Sequence, residues 1–129
     1  MSLDRIIQQL TQFDLHPTAA ETVTGNGTGV DITTLEGIAA VILDSAGGAG
    51  TTPTLNVKLQ HSATLGGSYV DIAGAVFAEV DDTPASRQMI KFNASEADNF
   101  VRAVWTITGS AGQSFTFSAN LLGVKKYNN

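Results

Sequence analysis

The sequence contains no cysteine. That excludes disulfide scaffolding, thiol catalysis and thiolate metal sites, and the expectation is a protein made and folded in a reducing cytoplasm. Charge is scarce as well: Asp, Glu, Lys and Arg make up 15% of the 129 residues, against about a quarter in ordinary domains. Low charge combined with 43% hydrophobic residues excludes an intrinsically disordered chain. The seven basic residues are scattered, only Lys125 and Lys126 being adjacent, and the net charge is -5. No stripe can be drawn that would neutralise a row of phosphates, so neither nucleic acid nor an anionic membrane surface is an expected partner. Long apolar runs are missing too. The longest, Ile38–Leu43, is far too short to cross a bilayer. No basic segment followed by an apolar run opens the sequence, so no secretory signal is expected.

What is present fits one domain able to bury its own core. Leu3, Ile6, Ile7, Leu10 and Phe13 recur at helical spacing, with Asp4, Arg5, Gln8, Gln9 and Gln12 between them. Ser2 is placed to cap such a helix, and Asp4 falls in its first turn, where the helix dipole favours an acid. His16 stands before Pro17, which pushes it towards extended geometry. The spacing predicts one short amphipathic helix over 3–13. The chain then divides into an N-terminal arm, 1–16, and a β-domain, 17–129. The helix stripe either packs on this domain or docks on a neighbouring subunit, which makes Leu3, Ile6, Ile7 and Leu10 the candidate oligomer or capsid contacts.

After Pro17 the period changes from 3.6 to 2. Ala20–Thr24 is a first expected strand, closed by the turn-rich Gly25–Gly29. Ile38–Leu43, ending at Asp44, has the continuous apolar character of a strand buried on both faces. Ser45–Gly50 offers nothing to bury and reads as a flexible loop, and it lacks the Gly-Lys-Ser/Thr ending of a phosphate cradle. Leu55, Val57 and Leu59 alternate with Asn56, Lys58 and Gln60. Val70 and Ile72, then Val76, Ala78 and Val80, then Ile90 and Phe92, are expected to point inward. Val101, Ala103, Trp105 and Ile107 share a face, as do Phe115, Phe117, Ala119 and Leu121. About eight short strands at spacings of roughly 8–12 residues predict an all-β, antiparallel, jelly-roll-like sandwich.

No constellation of reactive residues accompanies this pattern. His16 and His61 lack partners at metal-ligand spacing and read as surface-loop histidines; no Gly-x-Ser-x-Gly elbow occurs. Glu79, Asp81 and Asp82 lack the regular oxygen-ligand spacing of a calcium loop. Trp105 and Tyr69 could form a sugar-stacking platform, but Trp105 is in phase with core positions. The expectation is a protein that is not an enzyme and needs no cofactor or metal. The loops at 45–53 and 81–87 are second candidate contact regions.

Three segments carry a family resemblance: Thr22–Asp31 (TVTGNGTGVD), Leu55–Ala73 (LNVKLQHSATLGGSYVDIA) and Asn99–Val124 (NFVRAVWTITGSAGQSFTFSANLLGV). Their order resembles that of tailed-bacteriophage capsid decoration, or cement, proteins. There a V-K-L-Q-x-S strand is followed by a glycine-rich turn and Y-x-D-I, and later by a Y/F-V-R-A strand. The resemblance implies a jelly-roll-like virion protein, a dimer or trimer. It would be made in the host cytoplasm and seated on the capsid surface, where it ties major capsid proteins together. It carries over no catalytic residue. A phage tail or adaptor component is an alternative. The Leu55–Ala73 pattern also resembles discoidin-like carbohydrate-binding sandwiches, although Leu65 stands where an acid often precedes the glycine. A glycan- or receptor-binding module is therefore a further alternative.

Overall fold

Alternation of apolar and polar residues is realised as strands almost throughout the computed structural model, which describes residues 9–126. In chain order these are β1 (Leu10–Glu21), β2 (Gly25–Asn26), β3 (Val30–Asp31), β4 (Leu35–Ser45), β5 (Ala49–Thr51), β6 (Thr54–Ser62), β7 (Val70–Val76), β8 (Ser86–Asn93), β9 (Phe100–Thr108) and β10 (Ala111–Lys125). One sheet has the order β1-β10-β4-β8, with β5 also pairing β10; the other has the order β2-β9-β6-β7, with β3 also pairing β9. All pairs are antiparallel.

The pairing follows a simple rule once β2 and β3 are read as two pieces of one strand along β9 and the short β5 is set aside. First pairs with last (β1 with β10), second with seventh (β2/β3 with β9), third with sixth (β4 with β8), and fourth with fifth (β6 with β7). A long hairpin folded over on itself pairs in this way, and the result is the two-sheet jelly roll. The core lies between the sheets. Val41 and Leu43 of β4 and Phe115, Phe117, Ala119 and Leu121 of β10 meet Leu55, Val57 and Leu59 of β6 and Val101, Ala103 and Trp105 of β9, all buried.

Several expectations are corrected. There is no helical element among the described residues. Of the predicted 3–13 helix, residues 9–13 are described: Gln9 alone keeps helical geometry, and Leu10–Phe13 is strand, facing Val124 to Leu121 of β10. The reason is competition for the β10 backbone: a helix would leave that edge unpaired, and an isolated helix of this length falls short of the ~12–15 residues it needs in water. Leu3, Ile6 and Ile7 lie outside the described residues. β1 runs on through His16 and Pro17, across the 16/17 division drawn from the sequence, with register shifts at Asp14/His16 and His16/Ala19. An edge strand with bulges is where proline is tolerated.

In β7 the phase shifts by one at Gly74 (φ 78), so Ala75 and Phe77 are buried while Val76 is exposed; Val70 is exposed too. Ser45–Gly50 is tied in rather than free, since β5 begins at Ala49 and the Gly48 amide donates to the Asp81 carbonyl at 3.0 Å.

Candidate functional site: the outer face of the first sheet

The histidines and the aromatic pair singled out from the sequence are engaged in structure, and His61 lies on β6, not in a loop, its Nδ1 accepting from the Asp98 amide at 2.9 Å. His16 is buried, not in a surface loop. The bulge in β1 turns its ring inward, where it stacks on Phe117 (centroids 4.0 Å apart) with its edge against Trp105 (4.8 Å). Its Nδ1 lies 3.0 Å from the Phe117 carbonyl and its Nε2 2.9 Å from Glu21 Oε1. Trp105 is buried and donates from its indole nitrogen to the Val23 carbonyl at 3.2 Å. Tyr69 is half-buried and its ring face is taken by Arg102, whose guanidinium carbon sits 4.1 Å from the centroid. A Trp105–Tyr69 sugar platform therefore does not form. Among the described residues no three His, Asp or Glu side chains gather as a metal site, and no helix is long and apolar enough to cross a membrane.

The outer face of the second sheet is cross-linked by polar side chains. Arg102 donates from Nε and Nη2 to Gln60 Oε1 at 3.1 and 2.8 Å, and from Nη1 to Asn26 Oδ1 at 3.2 Å. Gln60 Nε2 donates to Asp71 Oδ1 at 2.9 Å, and Lys58 Nζ to Asp71 Oδ2 at 3.0 Å. These two hydrogen bonds, Gln60 first, hold the Asp71 carboxyl below the ordinary carboxylate value. Asn56 donates to Glu79 at 2.9 Å. Every large polar group here has a neighbour to bond.

The outer face of the first sheet is different. Register places its outward side chains in rows across β1, β10, β4 and β8: Asp14, Asn120, Ile42, Met89, and next to it Gln12, Leu122, Ala40, Lys91. At the β10 end of the sheet the rows finish with Leu10 opposite Val124 and Ile38 opposite Asn93. Ile38 is 58% exposed, Met89 57%, Leu10 41% and Leu122 38%. A shallow depression of about 250 Å³ lies on this face, lined by Gln12, Ile42, Asp44, Arg87, Ser118, Asn120 and Leu122. Ile38–Leu43 thus has only its inner residues buried, and the both-faces expectation fails. Its outer half, Ile38, Ala40 and Ile42, lies on an uncovered apolar surface.

Of the four contact residues named from sequence, only Leu10 is described, and it stands at the margin of this face. Sequence reasoning missed Ile38, Ile42, Met89 and Leu122. The available signal was the run Ile38–Leu43 itself: a strand apolar on both sides, in a protein too small to cover both, needs an outside cover. At one end of the sandwich the 45–53 and 81–87 segments pack together through Gly48 and Asp81.

No protein-family model matches this sequence, and no curated protein does. Solved structures do match in fold. A chain of infectious bursal disease virus Gt strain aligns over 93% of this chain at a TM-score of 0.62 and 13% identity, and one of the Gx strain over 92% at 0.56 and 14%. The SPBc2 prophage-derived protein YomS aligns over 88% of this chain and 93% of its own, at a TM-score of 0.50 and 13% identity. This chain spans only about a third of the viral chains, 34% and 32% of their lengths. At such identities the likeness establishes a shared fold, a jelly roll used in viral particles and in a prophage protein.

Proposed function

We propose that this protein is a structural component of a phage virion, a capsid decoration protein that sits on the outer shell and stabilises contacts between major capsid proteins. One observation carries the reading: the outer face of the β1-β10-β4-β8 sheet leaves Ile38, Met89 and Leu122 exposed and Ile42 half-buried on an otherwise complete jelly roll. An apolar sheet face of this kind is a surface for another protein, not for solvent. The fold likeness to chains of viral particles and to a prophage-derived protein supports the same reading. The tied-in loops at 45–53 and 81–87 offer a firm end of the sandwich for the capsid contact.

The test is binding to capsids of the phage that encodes the protein. Purified protein added to expanded, undecorated capsids is expected to co-sediment at a fixed stoichiometry and to raise their resistance to heat. Protein that stays in the supernatant and leaves capsid melting unchanged would reject the decoration role. Co-purification with tails instead would favour the tail or adaptor alternative.

A further inference from the structure

We propose that the outer face of the first sheet is a homodimer interface, two copies packing face to face about a two-fold axis parallel to the strands. This deepens the decoration reading, on whose face it rests: the face goes to a second copy and the 45–53 and 81–87 end is left for the capsid. It is tested without any capsid, so the failure of either reading is separable from the other.

Three features of the face select a second copy as its occupant. Ile42 and Ala40 on β4 and Leu122 on β10 form its apolar centre, with Asn120 beside Ile42 and Asp44 one outward position further along β4. Its two margins carry opposite charge. Asp14 lies on β1 at one edge; Arg87 and Lys91 lie on β8 at the other. Arg87 already pairs with Asp44 on the same face at 3.0 Å, whereas Asp14 and Lys91 take part in no ion pair among the described residues. Finally, the heights agree. Asp14 is in the row of Met89, between the heights of Arg87 and Lys91.

A two-fold rotation about an axis along the strands lays β1 of one copy over β8 of the other and keeps every residue at its height. Asp14 then comes over Met89 of the second copy with Arg87 and Lys91 one outward position to either side, Ile42 comes over Asn120, and the same contacts repeat by symmetry. This is the self-complementarity that an isologous interface requires. Leu122 comes to lie over Ala40 of the second copy, a large side chain against a small one. Met89, whose thioether chain is flexible, comes down in the Asp14 row of the second copy, next to the row of Gln12. Sheets packed with strands within ~30° of one another keep these neighbours in reach. Four strands at ~4.8 Å spacing and about seven residues at ~3.4 Å rise span roughly 19 by 24 Å. That is about 900 Å² over both copies, below the size of stable specific interfaces, so the expected dimer is a weak one.

The experiment is sedimentation equilibrium on the full chain from low micromolar to sub-millimolar concentration. The wild type is expected to pass from monomer to dimer. Ile42→Asp, and independently Met89→Glu at an exposed position that folding does not need, should each weaken dimerisation by about tenfold or more while leaving the circular-dichroism melt in place. Asp14→Lys and Lys91→Asp should each weaken it by about tenfold through like charges brought together twice per dimer. The double variant Asp14→Lys/Lys91→Asp should recover it to within about threefold of wild type. A wild type that stays monomeric, or forms a trimer, would overturn the proposal. So would a dimer indifferent to both Ile42→Asp and Met89→Glu, or a double variant no better than the singles.

Discussion

Ile42 on β4 lies directly opposite Met89 on β8, and both stand on the outer side of the first sheet, while Val41 and Leu43, the strand neighbours of Ile42, are sealed inside. One sheet therefore offers apolar residues with opposite duties. Leu43→Ala opens a hole in a fully packed core and should cost ~2–5 kcal/mol in urea unfolding. Met89→Ser, measured on dilute monomer so that association does not enter, should stay within ~0.5 kcal/mol of wild type. Equal losses at the two positions would show that the outer face is needed for the fold of the single chain.

His16 is the second position where the structure assigns a cost that the sequence does not advertise. Its ring fills space between Phe117 and Trp105, and it supplies a partner to the Phe117 carbonyl where the β1 bulge interrupts the ladder. His16→Ala removes the stack and that hydrogen bond together, and a loss of ~2–4 kcal/mol is expected. Glu21→Gln keeps a side-chain amide beside Nε2 that can either donate or accept, so its loss should be under ~1 kcal/mol. Parallel urea melts of the two variants decide the matter; a His16→Ala protein as stable as wild type would remove His16 from the core.

The strands most legible in the sequence are those with one apolar and one polar face. Leu55, Val57 and Leu59 on β6, the β9 series through Trp105, and Phe115 to Leu121 on β10 all point inward as their period of two requires. The illegible parts share a cause, which is that long-range pairing decides them. Leu10 and Phe13 fit a helical stripe as well as a strand, and the free edge of β10 selects the strand. Gly74 shifts the phase of β7, and a bulge turns His16 inward; both are backbone events without a side-chain period. For the candidate site, the excess apolar character of Ile38–Leu43 was visible in the sequence. Which half of it would be left uncovered depended on the pairing of β4 with both β8 and β10.

Gly37 marks the place where β4 slips against β10, between the Leu122–Ala40 and Val124–Glu36 pairs. Its φ is 71, in the left-handed region, and a side chain there would meet open space. Strain alone then sets the cost of substitution. Gly37→Ala should lose ~1–2 kcal/mol, and Gly37→Asn clearly less, because asparagine tolerates this conformation. Gly50 (φ 100) combines the same strain with a collision, since an added Cβ would lie 2.6 Å from the Gly112 carbonyl group. Gly50→Ala should therefore destabilise more than Gly37→Ala in the same thermal melt; the reverse order would contradict the described packing of β5 against β10.

Asp71 gives the clearest pH-linked expectation. Its carboxyl accepts from Gln60 at 2.9 Å and from Lys58 at 3.0 Å, and both bonds favour the ionised form, Gln60 the more strongly. The folded-state value is lower than the unfolded one, for which 3.8 is the ordinary figure. The linked stability is therefore fully present above that figure and is lost as pH falls through the folded value. Carboxyl-carbon NMR should find Asp71 titrating below 3.8 in the native protein. Gln60→Ala should raise its midpoint more than Lys58→Met. Arg102 does not touch Asp71, but it grips Gln60 Oε1 through two nitrogens and so aims Nε2 at the carboxylate. Arg102→Met, which keeps an apolar stem over Tyr69, should therefore also raise the Asp71 midpoint. An Asp71 titration that ignores Arg102→Met but responds to Gln60→Ala would mean that Gln60 holds its orientation without the guanidinium.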